Sequence, residues 1–292
     1  MTIRGLSVLL MLVSGAAARQ YAPANAKWNQ AVEPFRIVGN VYYVGASGVS
    51  SFLITTEAGH ILLDTGYPET VPLVEAGIRK LGFRVEDIKL LLASHAHTDH
   101  AGGMAAMKAK TKARLLANPR DVDLFARGGK GDFAFGDKFA YPPVKADGVF
   151  HDGEEIRLGG VTLTAHFTPG HTKGCTSYSA SIREGERVYD VVFPCSLTAP
   201  DYQLIGNPKH PEIVKDYESS FATLSALPCD VFTGGHAWDF GLDAKRKALQ
   251  SGATGNPFVD PEGYRAWVKK SEAAFHKQLA EETSKRRSAK AR

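Results

Sequence analysis

Short apolar runs recur along the chain and fall into two similar series. Residues 88–94 (IKLLLAS) form a continuous apolar run, which is typical of a strand buried on both faces. Shorter runs, separated by Gly-containing turns, lie on either side of it. The first series predicts strands at residues 41–44, 51–55, 60–64, 88–94 and 113–117, and the second predicts strands at 155–158, 161–167, 176–182, 188–193 and 230–233.

Apolar residues at helical spacing fill most intervals between these runs. The helical patterns lie at residues 69–81, 104–110, 121–127, 211–227 and 262–282. Residues 127–147 are rich in Gly, Pro and aromatic residues, lack periodicity and indicate a long loop, which is usually functional or disordered. Strands alternating with helices in two similar halves predict an α/β fold, in which two sheets pack together with helices outside.

Composition and charge favour one compact domain, expected at residues 19–283. The 292 residues are 43% hydrophobic and 23% charged, and no internal repeat divides them. The formal net charge of +4 is concentrated at the two ends, so the body is near neutral and no nucleic-acid partner is expected. Residues 284–292 form a basic tail that we expect to be disordered.

The first 18 residues have the organisation of a secretory signal peptide. Arg4 precedes an apolar stretch at 6–13, and alanines at 16–18 supply a cleavage pattern. Because that stretch is too short to span a bilayer, we expect cleavage and export to the periplasm rather than a membrane anchor.

The densest cluster of potential metal ligands follows the apolar run, where residues 95–100 read HAHTDH. In an extended chain His95 and His97 point to the same side. The turn that follows can bring Asp99 and His100 close to them. Imidazole nitrogen and carboxylate oxygen are ligands that suit zinc, so the pattern predicts a zinc site.

Two further histidines, His171 and His236, also follow strand ends and lie in Gly-containing loops. With the earlier cluster they make five His and one Asp, enough for two zinc ions with three protein ligands each. Three ligands leave a coordination position open for water, which is typical of catalytic rather than structural zinc sites.

The HAHTDH segment matches the H-x-H-x-D-H motif of the metallo-β-lactamase superfamily, and the chain resembles this superfamily over nearly its whole mature length. Within the superfamily it is most similar to the subclass B3 metallo-β-lactamases. The matching stretches are 62–66 (LLDTG), 94–103, 126–143, 169–172 (PGHT), 196–207 and 221–230. The resemblance implies an αβ/βα four-layer sandwich of two mixed β-sheets with helices outside, and a site in a cleft at one edge of the sheets.

The resemblance also implies an enzyme that hydrolyses the amide bond of penicillins, cephalosporins and carbapenems and so confers antibiotic resistance. A zinc-bound hydroxide would attack the substrate, and the catalytic Asp99 would both bind zinc and orient this nucleophile. The implied ligands are His95, His97 and His171 for one Zn²⁺ and Asp99, His100 and His236 for the other.

Further site residues are implied around the metals. Ser196 and Thr198 would bind the carboxylate of the drug, and Tyr202 could donate to a developing oxyanion, although Thr198 and Tyr202 could equally be ordinary surface hydroxyls. Asp64 and Thr172 are expected to support the ligands, because a metal-bound His usually donates its other N–H to a carboxylate, carbonyl or water.

The three cysteines leave room for one disulfide and one free thiol in an exported protein. Cys195 lies where many superfamily hydrolases, including hydroxyacylglutathione hydrolases, have a metal-bridging Asp, and where subclass B1 and B2 enzymes have a ligating Cys. We favour a Cys175–Cys195 disulfide over zinc binding by Cys195, because the compartment permits disulfides. Cys229 is then expected to be a buried free thiol.

Two other functions stay open: a hydrolase of the same fold acting on a thioester or lactone, like glyoxalase II, and a non-catalytic periplasmic zinc-binding protein. The absent bridging carboxylate counts against the first, and the open metal shell counts against the second. Trp28 and residues 133–135 (FAF) are candidate walls of the cleft, or simply pack against the body. We expect a monomer whose partner is a small-molecule β-lactam, with no membrane partner.

Overall fold

Two mixed β-sheets form the centre of the computed structural model, which describes residues 23–290. The predicted signal peptide at 1–18 lies outside the described residues. The seven strands of the first sheet lie side by side in chain order. They are β1 (Phe35–Val38), β2 (Val41–Tyr43), β3 (Phe52–Thr56), β4 (Gly59–Leu63), β5 (Ile88–Leu92), β6 (Arg114–Ala117) and β7 (Gly148–Val149).

The second sheet has the order β12-β11-β10-β9-β8. Its strands are β8 (Glu155–Leu158), β9 (Val161–Phe167), β10 (Thr176–Glu184), β11 (Arg187–Phe193) and β12 (Val231–Phe232). β10 and β11 pair antiparallel as a long hairpin. Gly185 in its turn has φ +61°, a conformation that glycine adopts without the steric penalty of a side chain.

Helices lie outside both sheets. They are α1 (Val71–Lys80), α2 (Thr98–Ala101), α3 (Met104–Thr111), α4 (Val122–Ala126), α5 (Ile213–Ala226), α6 (Leu242–Gln250) and α7 (Pro261–Lys290), with 3₁₀ turns at Pro23–Trp28, Pro68–Thr70 and Val85–Asp87. No helix among residues 23–290 is both long and apolar enough to cross a membrane.

Alternation along the strands divides the apolar side chains between two cores. Ile54 and Leu63 point between the sheets, where they are buried with Tyr178 of the second sheet. Their neighbours Leu53 and Leu62 point to the other face and pack in a core that includes residues of α1 and α3. On the second sheet α7 packs against β12. These layers confirm the predicted α/β sandwich of two mixed sheets with helices outside.

The predicted strands and helices are found with small shifts at their ends, but some elements were not predicted. β1, β7 and α2 have at most four residues each, too few for a periodic pattern to identify. The prediction that the last helix ends at 282 was wrong, since α7 continues to Lys290 through most of the basic tail. Lys, Arg and Ala favour helix, and cations near a helix C-terminus are stabilising. The domain boundaries at 19 and 283 stay predictions.

Candidate metal centre

The six predicted metal ligands come together at the ends of three strands. They are His95 and His97 in the loop after β5, Asp99 and His100 on α2, His171 after β9 and His236 after β12. The loop that carries His236 is tied to the first sheet, because Ser50 donates its N–H to the carbonyl of Gly235 at 2.9 Å. The two halves of the fold therefore meet at this site.

The first group consists of three imidazoles, His95, His97 and His171, with one ligand nitrogen of each within 4.8 Å of the others. We call this group the imidazole triad. Nδ1 of His97 lies 3.2 Å from Nε2 of His171. Tetrahedral zinc with Zn–N bonds of about 2.0–2.1 Å places neighbouring ligand nitrogens about 3.3 Å apart, so this spacing fits a shared ion.

The second group consists of Asp99, His100 and His236, and we call it the carboxylate triad. Oδ2 of Asp99 lies 3.7 Å from Nε2 of His100 and 3.6 Å from Nε2 of His236. His95 also lies within 4.8 Å of Asp99 and His100, so the two triads adjoin. One carboxylate oxygen with two imidazole nitrogens at these distances from it suits a second zinc ion.

Two ligands are oriented by backbone carbonyls. Nδ1 of His171 lies 2.7 Å from the carbonyl oxygen of Thr198, and Nδ1 of His236 lies 3.0 Å from that of Gly48. A carbonyl only accepts hydrogen bonds, so Nδ1 of each ring carries the proton and Nε2 is left as a lone-pair donor. In both rings that free nitrogen is the one that faces its triad.

Two other ligands are oriented by one buried carboxylate, Asp64. Its Oδ2 atom lies 3.0 Å from Nδ1 of His100 and accepts a hydrogen bond from the hydroxyl of Ser94 at 2.8 Å. That hydroxyl in turn lies 3.0 Å from Nδ1 of His95. Asp64 therefore reaches His100 directly and His95 through Ser94, which places it where the sequence predicted a supporting residue.

The donor set fits the zinc ions that the sequence predicts. Within residues 23–290, Nε2 of His95 and Nε2 of His100 are buried and have no hydrogen-bond partner. A buried polar atom without a partner costs free energy comparable to a lost hydrogen bond, so each such atom calls for an explanation. Soft-to-borderline imidazole nitrogens with one carboxylate are the ligands that zinc prefers.

Burial keeps two rings of the imidazole triad, those of His95 and His171, in the form that binds metal. It lowers the pKa of His95 well below the usual range. Burial, together with the neighbouring His97, also lowers the pKa of His171 to about 3. Both rings are therefore neutral at pH 7, and a neutral imidazole has the lone pair that coordinates zinc.

Opposite charges dominate the carboxylate triad. Burial opposes the charge on His100, but Asp99 and then Asp64 outweigh it and raise the pKa of His100 to about 9. Burial likewise opposes ionisation of Asp99, yet His100 and His236 lower its pKa to about 2. Asp99 is thus an ionised carboxylate across the neutral range and can serve as an oxygen ligand.

Thr172 supports the site in a way that the sequence did not indicate. Its hydroxyl donates to Oδ2 of Asp121 at 2.9 Å rather than accepting the N–H of an imidazole. The same buried carboxylate accepts N–H groups from Ala96 at 3.1 Å and Gly174 at 2.9 Å. Asp121, which the sequence analysis missed, therefore ties the loop of His97 to the loop of His171.

The predicted substrate contacts fall into two kinds. Ser196 and Thr198 present their hydroxyl oxygens 3.0 Å apart beside the imidazole triad, and the side chain of Thr198 is exposed. Tyr202 differs from the prediction, because it is buried and its hydroxyl donates to the carbonyl of His171 at 3.0 Å. That geometry gives Tyr202 a supporting role, since its only proton is already donated.

Cys175 and Cys195 are joined in a disulfide, the pairing favoured from the sequence, and Cys229 is a buried free thiol. The disulfide links the start of β10 to the segment after β11, directly beside the loops of His171 and Thr198. Since both sulfur atoms are consumed in this bond, Cys195 is not available as the thiolate ligand that was the alternative.

Aromatic rings border both triads. On one side the ring of Phe135 lies 5.4 Å from that of His97. On the other, Trp28 lies 5.6 Å from His236, while Trp238 stacks on His236 at 4.3 Å with 9° between the planes. Trp238 is 52% exposed and was not singled out from the sequence. The candidate walls Trp28 and Phe135 are therefore placed beside the metal ligands.

Comparison with known proteins agrees with this fold and site. The model of the metallo-β-lactamase superfamily matches residues 44–236 of the chain, a span that contains all six predicted ligands. The chain belongs to the metallo-β-lactamase superfamily.

Solved structures that it resembles are metallo-β-lactamases. FEZ-1 from Legionella gormanii is 40% identical with a TM-score of 0.85, over 87% of this chain and 98% of that chain. BJP-1, a subclass B3 metallo-β-lactamase of Bradyrhizobium japonicum, is 40% identical with a TM-score of 0.83, over 88% and 97% of the two chains.

Curated relatives match a shorter stretch. A hydroxyacylglutathione hydrolase of Rhodopseudomonas palustris (strain HaA2) is 34% identical over 111 residues, which are 38% of this chain and 35% of that protein. The matched stretch thus spans about a third of the length of these relatives. Taken together, the comparisons establish a hydrolase superfamily and leave the substrate to be argued from the site.

Proposed function

We propose that the chain is a subclass B3-like metallo-β-lactamase that uses two zinc ions to hydrolyse the amide bond of β-lactam antibiotics. The observation that carries the proposal is the pair of adjoining triads, each with three ligands. Three ligands per metal leave a position open, which is the arrangement of catalytic zinc. Similarity to two metallo-β-lactamases at 40% identity, over nearly their whole lengths, supports the same substrate class.

Different residues of the chain would bind metal, orient the attacking water and bind the substrate. Zinc bound at such sites polarises a carbonyl oxygen and lowers the pKa of bound water to about 7. Asp99, with its pKa of about 2, stays ionised, so it can bind metal and accept a hydrogen bond that orients the attacking water. The hydroxyls of Ser196 and Thr198 can donate to the carboxylate of the drug.

A thioester hydrolase is the competing function, since curated relatives are hydroxyacylglutathione hydrolases. An enzyme of that kind would be expected to have a carboxylate that bridges the metals at the end of β11. The chain has Cys195 and Ser196 there; the first is in a disulfide and the second is hydrogen-bonded to Thr198. The site therefore favours the β-lactamase.

Hydrolysis assays with purified protein separate these functions. The zinc-loaded chain is given a chromogenic cephalosporin and, separately, a hydroxyacylglutathione thioester, before and after a chelator and again after zinc is restored. Cephalosporin turnover that the chelator abolishes and zinc restores is expected. Turnover of the thioester alone, or zinc binding without either turnover, would overturn the proposal.

A matched pair of variants shows whether the reaction belongs to this site. Asp99→Ala should lose most of the cephalosporin turnover. His151→Ala changes an exposed histidine in the loop between β7 and β8 and should retain it. Full turnover in Asp99→Ala at unchanged zinc content would contradict the role given to Asp99.

Export to the periplasm is part of the proposal. It rests on the signal-like residues 1–18, and the Cys175–Cys195 disulfide supports it because disulfides persist in oxidising compartments. Expression of the full chain in a Gram-negative host, followed by fractionation and mass measurement, should give a shortened periplasmic form and raised resistance to β-lactams. A full-length cytoplasmic product would contradict export.

A further inference from the structure

A buried aspartate of the long loop faces one of the metal ligands. Asp132 lies between α4 and β7 and is 4% exposed. Its Oδ2 atom lies 3.4 Å from Nε2 of His97. Within the described part of the chain neither atom has a hydrogen-bond partner. At this distance the two atoms are in a polar contact slightly longer than a good hydrogen bond.

The other carboxylate oxygen of Asp132 shapes the loop itself. Oδ1 accepts the N–H groups of Ala134 at 2.8 Å and Phe135 at 2.7 Å. The backbone groups of Asp132 and Gly136 also exchange two hydrogen bonds, at 3.1 and 3.0 Å. One side chain thus closes the turn that places Phe135 beside His97.

Metal binding at the imidazole triad decides what Nε2 of His97 does. Nδ1 is the atom that faces the triad, 3.2 Å from His171. A histidine that coordinates through Nδ1 carries its proton on Nε2, and such an N–H usually donates to a carboxylate, carbonyl or water. Asp132 is the carboxylate in position to accept it.

We propose that Asp132 is a positioning residue that couples metal binding at the imidazole triad to the conformation of the loop at residues 131–137. The inference rests on the metal centre of the proposed function and not on the substrate. Coupling of this kind is reciprocal: if the closed loop strengthens metal binding, bound metal strengthens loop closure by the same factor. The conformation of the loop that places Phe135 beside His97 would then depend on bound metal.

The test compares two carboxylates of the same loop. Asp132→Asn keeps the size of the side chain and removes the charge that faces His97. Asp137→Asn is the matched control, because Asp137 is exposed and its Oδ1 accepts the N–H of Gly131 at 2.9 Å without contact to a histidine. Zinc affinity is measured by competition with a chelator, and the loop by trypsin cleavage at the exposed Lys130 and Lys138.

Asp132→Asn should weaken the binding of one of the two zinc ions by about 10–100-fold, which is the usual effect of losing a hydrogen-bond partner of a metal ligand. Zinc should slow cleavage at Lys138 in the wild type and in Asp137→Asn, but not in Asp132→Asn. Unchanged zinc affinity in Asp132→Asn, or equal protection by zinc in all three proteins, would overturn the coupling.

These readouts separate the coupling from the proposed function. A chain that binds zinc and shows the coupling, but hydrolyses no β-lactam, loses the proposed substrate and keeps this inference. A chain that hydrolyses β-lactams while Asp132→Asn behaves as the wild type loses only the inference. The wild type with and without zinc provides a comparison that does not depend on how well any variant folds.

Discussion

The two triads adjoin but are stabilised from different parts of the molecule. The imidazole triad depends on loops far apart in sequence: His171 is oriented by the carbonyl of Thr198, and His97 faces Asp132 of the long loop. The carboxylate triad depends on the turn after β4, where Asp64 contacts His100. The first is an assembly of loops, whereas the second combines His100, anchored at the end of β4, with His236, whose loop is held by the carbonyl of Gly48.

Asp64 illustrates how firm that anchor is. It is 2% exposed and has φ +59°, a conformation that is uncommon for residues other than glycine. Residues in such strained conformations persist where surrounding contacts hold them and are concentrated at functional sites. Here the contacts are the N–H of Ser94 at 2.7 Å, its hydroxyl, and the ring of His100. The comparison predicts that the triads respond separately to change.

Removal of one ligand from each triad should produce the largest effect. His97→Ala and His236→Ala each leave one zinc with two protein ligands, so each protein should hold about one tightly bound zinc per chain. Turnover of a cephalosporin should fall by more than about 100-fold in both. Loss of a residue that only hydrogen-bonds to a ligand already lowers metal affinity or activity by about 10–100-fold.

Metal content by elemental analysis and cephalosporin turnover check this prediction. His151→Ala, in the exposed loop before β8, serves again as the control. If either ligand variant keeps two tightly bound zinc ions, the ligand assignment is wrong. If either loses both ions together, the two triads form one cooperative unit and the comparison between them fails.

Changes at Asp64 and Ser94 should have a smaller effect on zinc binding than loss of a ligand. They should show which triad each of the two residues supports. Asp64→Asn removes the charge beside His100 and the acceptor of the Ser94 hydroxyl. We expect about 10–100-fold weaker zinc binding, mainly at the carboxylate triad. Ser94→Ala removes only the path to His95, so its smaller effect should fall on the imidazole triad.

Chelator competition that resolves the two zinc ions measures both variants. Selective replacement of one ion by cobalt, whose spectrum reports its ligands, would identify which triad is weakened. If Ser94→Ala weakens the binding of both ions equally, the turn at Asp64 supports both triads. Thermal unfolding of the metal-free variants controls for loss of the fold.

The spacing of the ligands along the chain explains what the sequence could predict. The ligands His95, His97, Asp99 and His100 lie within one short motif after a buried strand, so local spacing was enough to identify them. The strands are also predictable, because alternation and continuous apolar runs are local signals. The count of three cysteines allowed one disulfide, and the positions of Cys175 and Cys195 at predicted strand ends in an exported protein favoured the pair that is found.

The supporting contacts depend on loop conformations that no periodic pattern encodes. Asp132 and Asp121 lie in or near irregular segments, and nothing in the sequence relates them to His97 or Thr172. The contact of His236 with Gly48 involves a backbone carbonyl, so no residue type in the sequence could indicate it. Tyr202 was identified by type, but the direction of its hydroxyl depends on packing with the His171 loop. A loop rich in Gly and Asp beside a metal motif is the one signal that could have singled out Asp132.

The pH dependence of zinc binding should also differ between the triads, because their histidines hold different numbers of protons near neutral pH. His100 has a pKa of about 9 because Asp99 and Asp64 outweigh the effect of burial, so below pH 9 it holds a proton that zinc must displace. Zinc affinity at the carboxylate triad should therefore fall as pH falls, by up to about tenfold per pH unit. His95 and His171, whose pKa values are lowered by burial, contribute no such loss near neutral pH.

Zinc titrations of the metal-free protein between pH 7 and pH 9 in the absence of substrate measure this difference. One zinc affinity should decrease on going from pH 9 to pH 7 more steeply than the other, and the steeper one should be the ion that His236→Ala loses. Asp64→Asn removes one of the charges that raise the pKa of His100, so it should make the steeper dependence shallower. Parallel pH dependences for the two ions in the wild type would mean that the triads do not differ in the protons they release.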